Sequence, residues 1–216
     1  MTGASFFKTL LLTAAVVVAM PARAQETADR RVVLEQVETY FNGIDSMRAD
    51  FMQSSSTGAF AEGKMYLKKE NKLRLDYKPP AEIEVVADGH YLIFHDKKLG
   101  QVTHMDLASN PAAFILKKGF TFADGELTVT DVTRDKSTVE MTVFKTKEPG
   151  NGRITLIFSA KPFALKQWQV TDAQQVKTMV TLSNVEENTD IDDAVFKFKD
   201  PKKDLKPGDK GYKKRR

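Results

Sequence analysis

Three histidines, His90, His95 and His104, are the only imidazoles in a chain of 216 residues that contains no cysteine. Without cysteine there is no thiolate nucleophile, no disulfide and no sulfur ligand, and the three histidines are the candidates for imidazole chemistry. His90 and His95 fall at opposite parity on one predicted strand, hence on opposite faces, which is poor geometry for a shared metal ion or an acid–base pair. His104, on the next strand, is the one ring that can meet either of them across a sheet. The plainer reading makes all three surface histidines of strands. The acidic pairs Glu186-Glu187 and Asp192-Asp193 lie near a chain end and read as solvated surface. No G-x-S-x-G, H-E-x-x-H or G-x-x-x-x-G-K-[ST] run occurs. The pattern argues against an enzyme and asks for no metal and no cofactor.

The elements around these residues suit binding better than catalysis. Residues 1–24 read as a secretory signal peptide: Lys8 precedes the apolar run Leu10 to Met20, and Ala22-Arg23-Ala24 supplies small residues before Gln25. That run is too short to cross a bilayer, which takes about 20 residues, so the mature chain is expected to be soluble outside the cytoplasm. No cysteine follows the leader to carry a lipid anchor. The remainder suits one domain, residues 25–201, followed by a tail, 202–216, in which prolines and glycines among lysines and arginines cannot build a core. The formal charge of +4 is unevenly spread. Setting aside +2 in the leader and +6 in the tail leaves the body at −4, which is no nucleic-acid surface. A monomer is expected.

After the leader, Val33, Leu34, Val37, Tyr40, Phe41 and Ile44 recur at helical spacing and Asn42-Gly43 offers a stop, which predicts an amphipathic helix. Nearly everything downstream alternates with period two. Lys64 to Lys68 places Met65 and Leu67 on one face, Lys72 to Tyr77 places Leu73, Leu75 and Tyr77 on one face, and Glu70-Asn71 makes the turn of a hairpin between them. Further strands are expected at 82–87, 91–95, 101–105, 127–132, 138–145, 153–158, 165–171 and 178–186, with turns at Asp88-Gly89, Asp124-Gly125 and Asn151-Gly152. Ser109-Asn110-Pro111 ahead of Ala112 to Leu116 predicts a capped short helix that interrupts them, and a second helical turn is expected near Ile191 to Val195.

The run Tyr40-Phe41-Asn42-Gly43-Ile44-Asp45-Ser46-Met47-Arg48-Ala49-Asp50-Phe51-Met52-Gln53 supplies a helix end and a first strand. With Glu62-Gly63-Lys64-Met65-Tyr66-Leu67-Lys68, Lys72 to Tyr77 before Pro79-Pro80, Ala87-Asp88-Gly89, Asn110-Pro111 and Val195-Phe196-Lys197-Phe198, it resembles the LolA family of periplasmic outer-membrane lipoprotein carriers over nearly the whole mature body. The resemblance implies a mostly β fold: an open, half-barrel antiparallel sheet whose concave face is covered by the N-terminal helix and short internal helices acting as a lid. It further implies a cavity for lipoprotein acyl chains, an inner-membrane ABC transporter as donor and an outer-membrane receptor as acceptor. Leu34, Val37, Met65, Leu67, Leu73, Leu75, Tyr77, Ile83 and Val85 are the expected lipid-facing set, and methionines at 47, 65 and 105 suit a surface that re-packs around variable chains. One departure stands out. The family often carries an Arg-Pro pair where this chain has Lys69-Glu70, which makes Lys69, without the planar guanidinium fork, the candidate for controlling the lid. Two other readings stay open: a binder or sensor of another lipid or amphiphile on the same fold, and an adaptor that uses its groove and basic tail to bind a protein.

Overall fold

The computed structural model describes residues 22–201. Nearly all of the leader and the whole basic tail lie outside this range. Helix α1 (Ala22–Asn42) is followed by β1 (Ser46–Ser55), β2 (Phe60–Lys68), β3 (Lys72–Tyr77), β4 (Ile83–Asp88), β5 (Tyr91–Asp96) and β6 (Gln101–Asp106). A linker of short 3-10 turns, Leu107–Ser109, Ala113–Leu116 and Phe122–Asp124, leads into the second run of strands. These are β7 (Leu127–Arg134), β8 (Thr138–Lys145), β9 (Arg153–Ala160), β10 (Phe163–Thr171) and β11 (Lys177–Glu187), with a last turn at Asp193–Phe196. All pairings are antiparallel in one sheet ordered β6-β5-β4-β3-β2-β1-β11-β10-β9-β8-β7, and β6 does not pair with β7. The sheet is therefore open, as expected. The expected short helix after Pro111 is instead a single 3-10 turn, and the Asn110 side chain accepts from the Ala112 amide at its approach.

Period-two alternation gives the sheet its two faces. On β8 and β9, Val139, Met141, Val143, Ile154, Leu156 and Phe158 are almost wholly buried and point the same way. Helix α1 lies over this half. Its buried stripe, Val33, Val37 and Phe41, recurs every fourth residue; Arg30 donates to the Val129 carbonyl of β7, and the Tyr40 and Phe41 rings meet Phe158 edge-on. The helix stops where Gly43 donates back to Thr39 and the Asn188 amide caps the Gly43 carbonyl.

The C-terminal segment straps across the convex face. Asp193 takes Lys68 at 2.8 Å and Lys72 at 3.1 Å, Arg74 donates to the Val195 carbonyl, and Phe196 is buried. The structure departs from the expected strand-surface histidines at two positions. His90 lies in the turn before β5 rather than on the strand, while His95 is buried, 3.5 Å from Glu84 and edge-on to Phe198 of the strap. His104 contacts the same Phe198 ring. The acidic pairs Glu186-Glu187 and Asp192-Asp193 are exposed, as expected; Glu187 also accepts from the Tyr40 hydroxyl, and Asp192 caps the last turn. Among the described residues no group of three or more histidines and carboxylates is placed to hold a metal ion, and no helix is long and apolar enough to cross a membrane.

Candidate functional site

Two rows of side chains cross the concave face of the first half of the sheet. One runs Met47, Leu67, Leu73, Ala87, Leu92, Met105; the next runs Ala49, Met65, Leu75, Val85, Phe94, Thr103, each residue directly opposite its neighbour on the adjoining strand. Alternation makes each strand contribute every second residue to this wall, and antiparallel register aligns them. Within β2, Gly63 leaves room for the Phe51 ring: a Cβ there would meet the ring at 2.8 Å and the Asp76 carbonyl at 2.2 Å. The ring in turn rests edge-on against Tyr77.

Between this wall, β10–β11 and the linker lies a cavity of about 390 Å³. Leu165, Trp168, Val170 and Val180 form the opposing wall, and Ala112, Ala113, Ile115 and Leu116 of the linker roof it. Its lining is overwhelmingly aliphatic and aromatic. The few polar groups are already engaged or at the margin: the Tyr77 hydroxyl donates to Gln53 at 2.8 Å, and burial pushes its pKa up to about 12, so it stays neutral. An enclosure of this kind suits an apolar guest.

The roof is a lid fastened by hydrogen bonds to α1. Asn42 brackets the backbone of Phe120, donating to its carbonyl and accepting from its amide, both at 2.7 Å. Glu38 accepts from the Phe122 amide and the Thr121 hydroxyl, and the Asn71 amide donates to the Leu116 carbonyl. Lys69 joins the two parts directly: its ammonium donates to the Phe41 carbonyl at the end of α1, at 3.0 Å, and to the Lys117 carbonyl of the lid, at 2.5 Å. Burial lowers the pKa of this half-buried lysine to about 8, with Asp45 acting weakly against the shift.

A depressed lysine pKa has a definite thermodynamic sign. Below pH 8 both folded and unfolded chains carry the proton and the burial cost is fully present; between about pH 8 and 10 the unfolded chain binds the proton more tightly, so stability rises with pH. Above about pH 10 the buried tyrosines Tyr40 and Tyr77, whose pKa values burial raises, pull the other way. Lys69→Met should flatten the rise between about pH 8 and 10, read as the urea midpoint. A rise that persists unchanged in the variant would assign it to another group.

Six of the nine residues expected to face lipid border the cavity: Met65, Leu67, Leu73, Leu75, Tyr77 and Val85, and Lys69 borders it as well. Leu34, Val37 and Ile83 do not. Val37 belongs to the packed core cluster, and Leu34 and Ile83 pack against it as partly buried residues. The opposing wall was not picked out from the sequence because β10 carries a register shift between Leu165 and Gln167 that moves Trp168 and Val170 onto the parity opposite to Leu165.

Residues 42–199 match the family described as outer membrane lipoprotein carrier protein LolA. The chain is 28% identical over 213 residues to an outer-membrane lipoprotein carrier protein of Cupriavidus pinatubonensis, covering 90% of this chain and 96% of that one. It is 26% identical over 200 residues to the protein of the same name from Chromobacterium violaceum, covering 89% and 93%. Among solved structures, a DUF1329 family protein from Desulfovibrio piger shares the fold with a TM-score of 0.51 at 10% identity, over 80% of this chain and 96% of that one.

Proposed function

Because the chain belongs to the LolA family of outer membrane lipoprotein carrier proteins, we propose that it binds the acyl chains of lipoproteins in the cavity beneath its lid and carries them across the periplasm without catalysing a reaction. The observation that carries this reading is the cavity itself, an apolar enclosure of about 390 Å³ whose roof is held by hydrogen bonds and one lysine rather than by a covalent tie. That volume sits at the low end of ligand pockets, roughly 300–1,000 Å³, and a lipid with several chains needs more, so loading requires the lid to move. The lid's own Ile115 and Leu116 line the empty space and compete with cargo for it. Such competition offsets the roughly 0.8 kcal/mol gained for each methylene covered and keeps the cargo transferable. In this reading the leader directs export and is removed, an inner-membrane ABC transporter loads the monomer, and the outer membrane, through a receptor or directly, unloads it.

The test is native mass spectrometry of the mature protein taken from periplasm, followed by extraction of whatever is bound. A co-purifying lipoprotein with its acyl chains is the expected result. Free phospholipid or another amphiphile in its place would move the assignment to a lipid binder on the same fold, and a consistently empty protein held by a protein partner would overturn both in favour of an adaptor.

A further inference from the structure

The two edges of the open sheet are finished differently. On β7 the register shifts between Val129 and Asp131, and the Arg30 guanidinium of α1 bonds to the Val129 carbonyl, so that edge is interrupted by a bulge and capped at Val129. On β6 the pairing with β5 is unbroken from Gln101 to Asp106, five of the six residues are exposed, and the strand holds neither proline nor lysine. Natural sheets blunt a bare edge with such devices because it is a template for another strand. The Leu107 amide donates to the His90 carbonyl at 3.0 Å. By the alternation of an antiparallel ladder, the amides and carbonyls of Met105, Thr103 and Gln101 then face β5, while those of Val102 and His104 face outward.

This edge borders the cavity. Met105 and Thr103 lie opposite Leu92 and Phe94, which line it, and the chain runs on from β6 into Leu107 and Asn110, which line it too. We propose that the outer edge of β6 is a strand-accepting site for the extended polypeptide that follows the lipidated residue of a cargo, bound through the main-chain groups of Val102 and His104. The inference rests on the carrier reading. Acyl chains seated in the cavity hold the attached peptide beside β6 at high effective concentration, so a short strand suffices. Main-chain bonding also ignores side-chain identity, which suits a carrier whose cargoes differ in sequence.

The experiment titrates the mature protein with a synthetic diacylated peptide of eight residues after the lipidated cysteine, following the fluorescence of Trp168, the single tryptophan and a cavity residue. Two further peptides carry N-methyl groups on alternate amides, one on the odd set and one on the even set. A paired strand turns only one set toward β6, so one peptide should bind about tenfold more weakly and the other like the unmodified one. Val102→Pro and, separately, His104→Pro, both tolerable at an edge, should erase that difference while leaving the far-ultraviolet circular dichroism unchanged. Equal binding of both N-methylated peptides and the unmodified one overturns the strand site and leaves the carrier reading standing. Failure of every acylated peptide to bind counts against the carrier reading itself. A dimer of the carrier that Val102→Pro dissociates, with no difference between the peptides, would give the edge to a second copy and overturn the proposal.

Discussion

Leu75→Asp should weaken binding of an acylated peptide by at least about a hundredfold while the chain stays folded. Leu75 lies at the middle of the cavity wall, opposite Met65 on one side and Val85 on the other. None of these neighbours can pair with a carboxylate. An ionised side chain placed there keeps its water and excludes the guest, or takes up a proton and still presents an unpartnered polar group; either outcome costs several kcal/mol. A loss of roughly 2.7 kcal/mol is already a hundredfold in affinity. Because Leu75 is only partly buried and faces a cavity, the free protein can hydrate the new carboxylate at far lower cost than a packed core could. Met52→Asp is the matching control: Met52 is 48% exposed and lies on the opposite parity of β1 from the wall residue Met47 and should leave affinity within about twofold. Trp168 fluorescence reads both variants, and unchanged affinity in Leu75→Asp would remove the cavity from the binding mechanism.

The wall that contains Leu75 was legible in the sequence because two conditions coincided there. Lys64 to Lys68 and Lys72 to Tyr77 alternate apolar and polar residues without interruption, and the turn between them is short and marked by a residue that accepts a turn, Asn71, whose φ is 62°. Parity then follows the chain from strand to strand. The same signal is lost on β10, where one register shift places Leu165 and Trp168 on the same side although they are three residues apart. Nothing local to Leu165-Lys166-Gln167-Trp168 announces the bulge.

Alternation also cannot say what lies opposite an apolar face. Val37 and Leu75 carry the same kind of signal, yet Val37 is fully buried in a packed cluster and Leu75 faces a cavity. The difference is set by α1, which settles over β7–β10 through Arg30, Tyr40 and Phe41 and leaves the other half of the concave face to the lid. Closure of β1 on β11 sets that arrangement, and those strands are separated by almost the whole domain. His95 was misread for a related reason. Its strand face would be solvated in isolation, and it is buried because Phe198, about a hundred residues later, folds over it. Long-range covering of this kind leaves no periodic trace at either site.

Phe41 is where these long-range choices meet, and Phe41→Ala should destabilise the domain by about 3–5 kcal/mol. Its ring touches Phe114 and Phe120 of the lid and Phe158 of β9 edge-on, at 5.9, 6.2 and 6.0 Å between centroids, and its carbonyl receives the Lys69 ammonium. Truncation removes aromatic contacts on three sides at a position that is 2% exposed, leaving a void that helix, sheet and lid must close by different movements. Against a total stability of roughly 5–15 kcal/mol the loss is large and is read from urea unfolding. Val32→Ala, at an exposed site on the same helix, should cost less than about 0.5 kcal/mol. The lid should suffer more than the sheet, because its short 3-10 turns have no ladder to hold them once Phe114 and Phe120 lose their common partner. Limited proteolysis should therefore cut the variant first between residues 107 and 126 under conditions in which the urea signal still reports a folded sheet. Cleavage that begins elsewhere, or a cost below about 1 kcal/mol, would mean that Phe41 is only one core residue among many and that the lid is held by its polar fastenings alone.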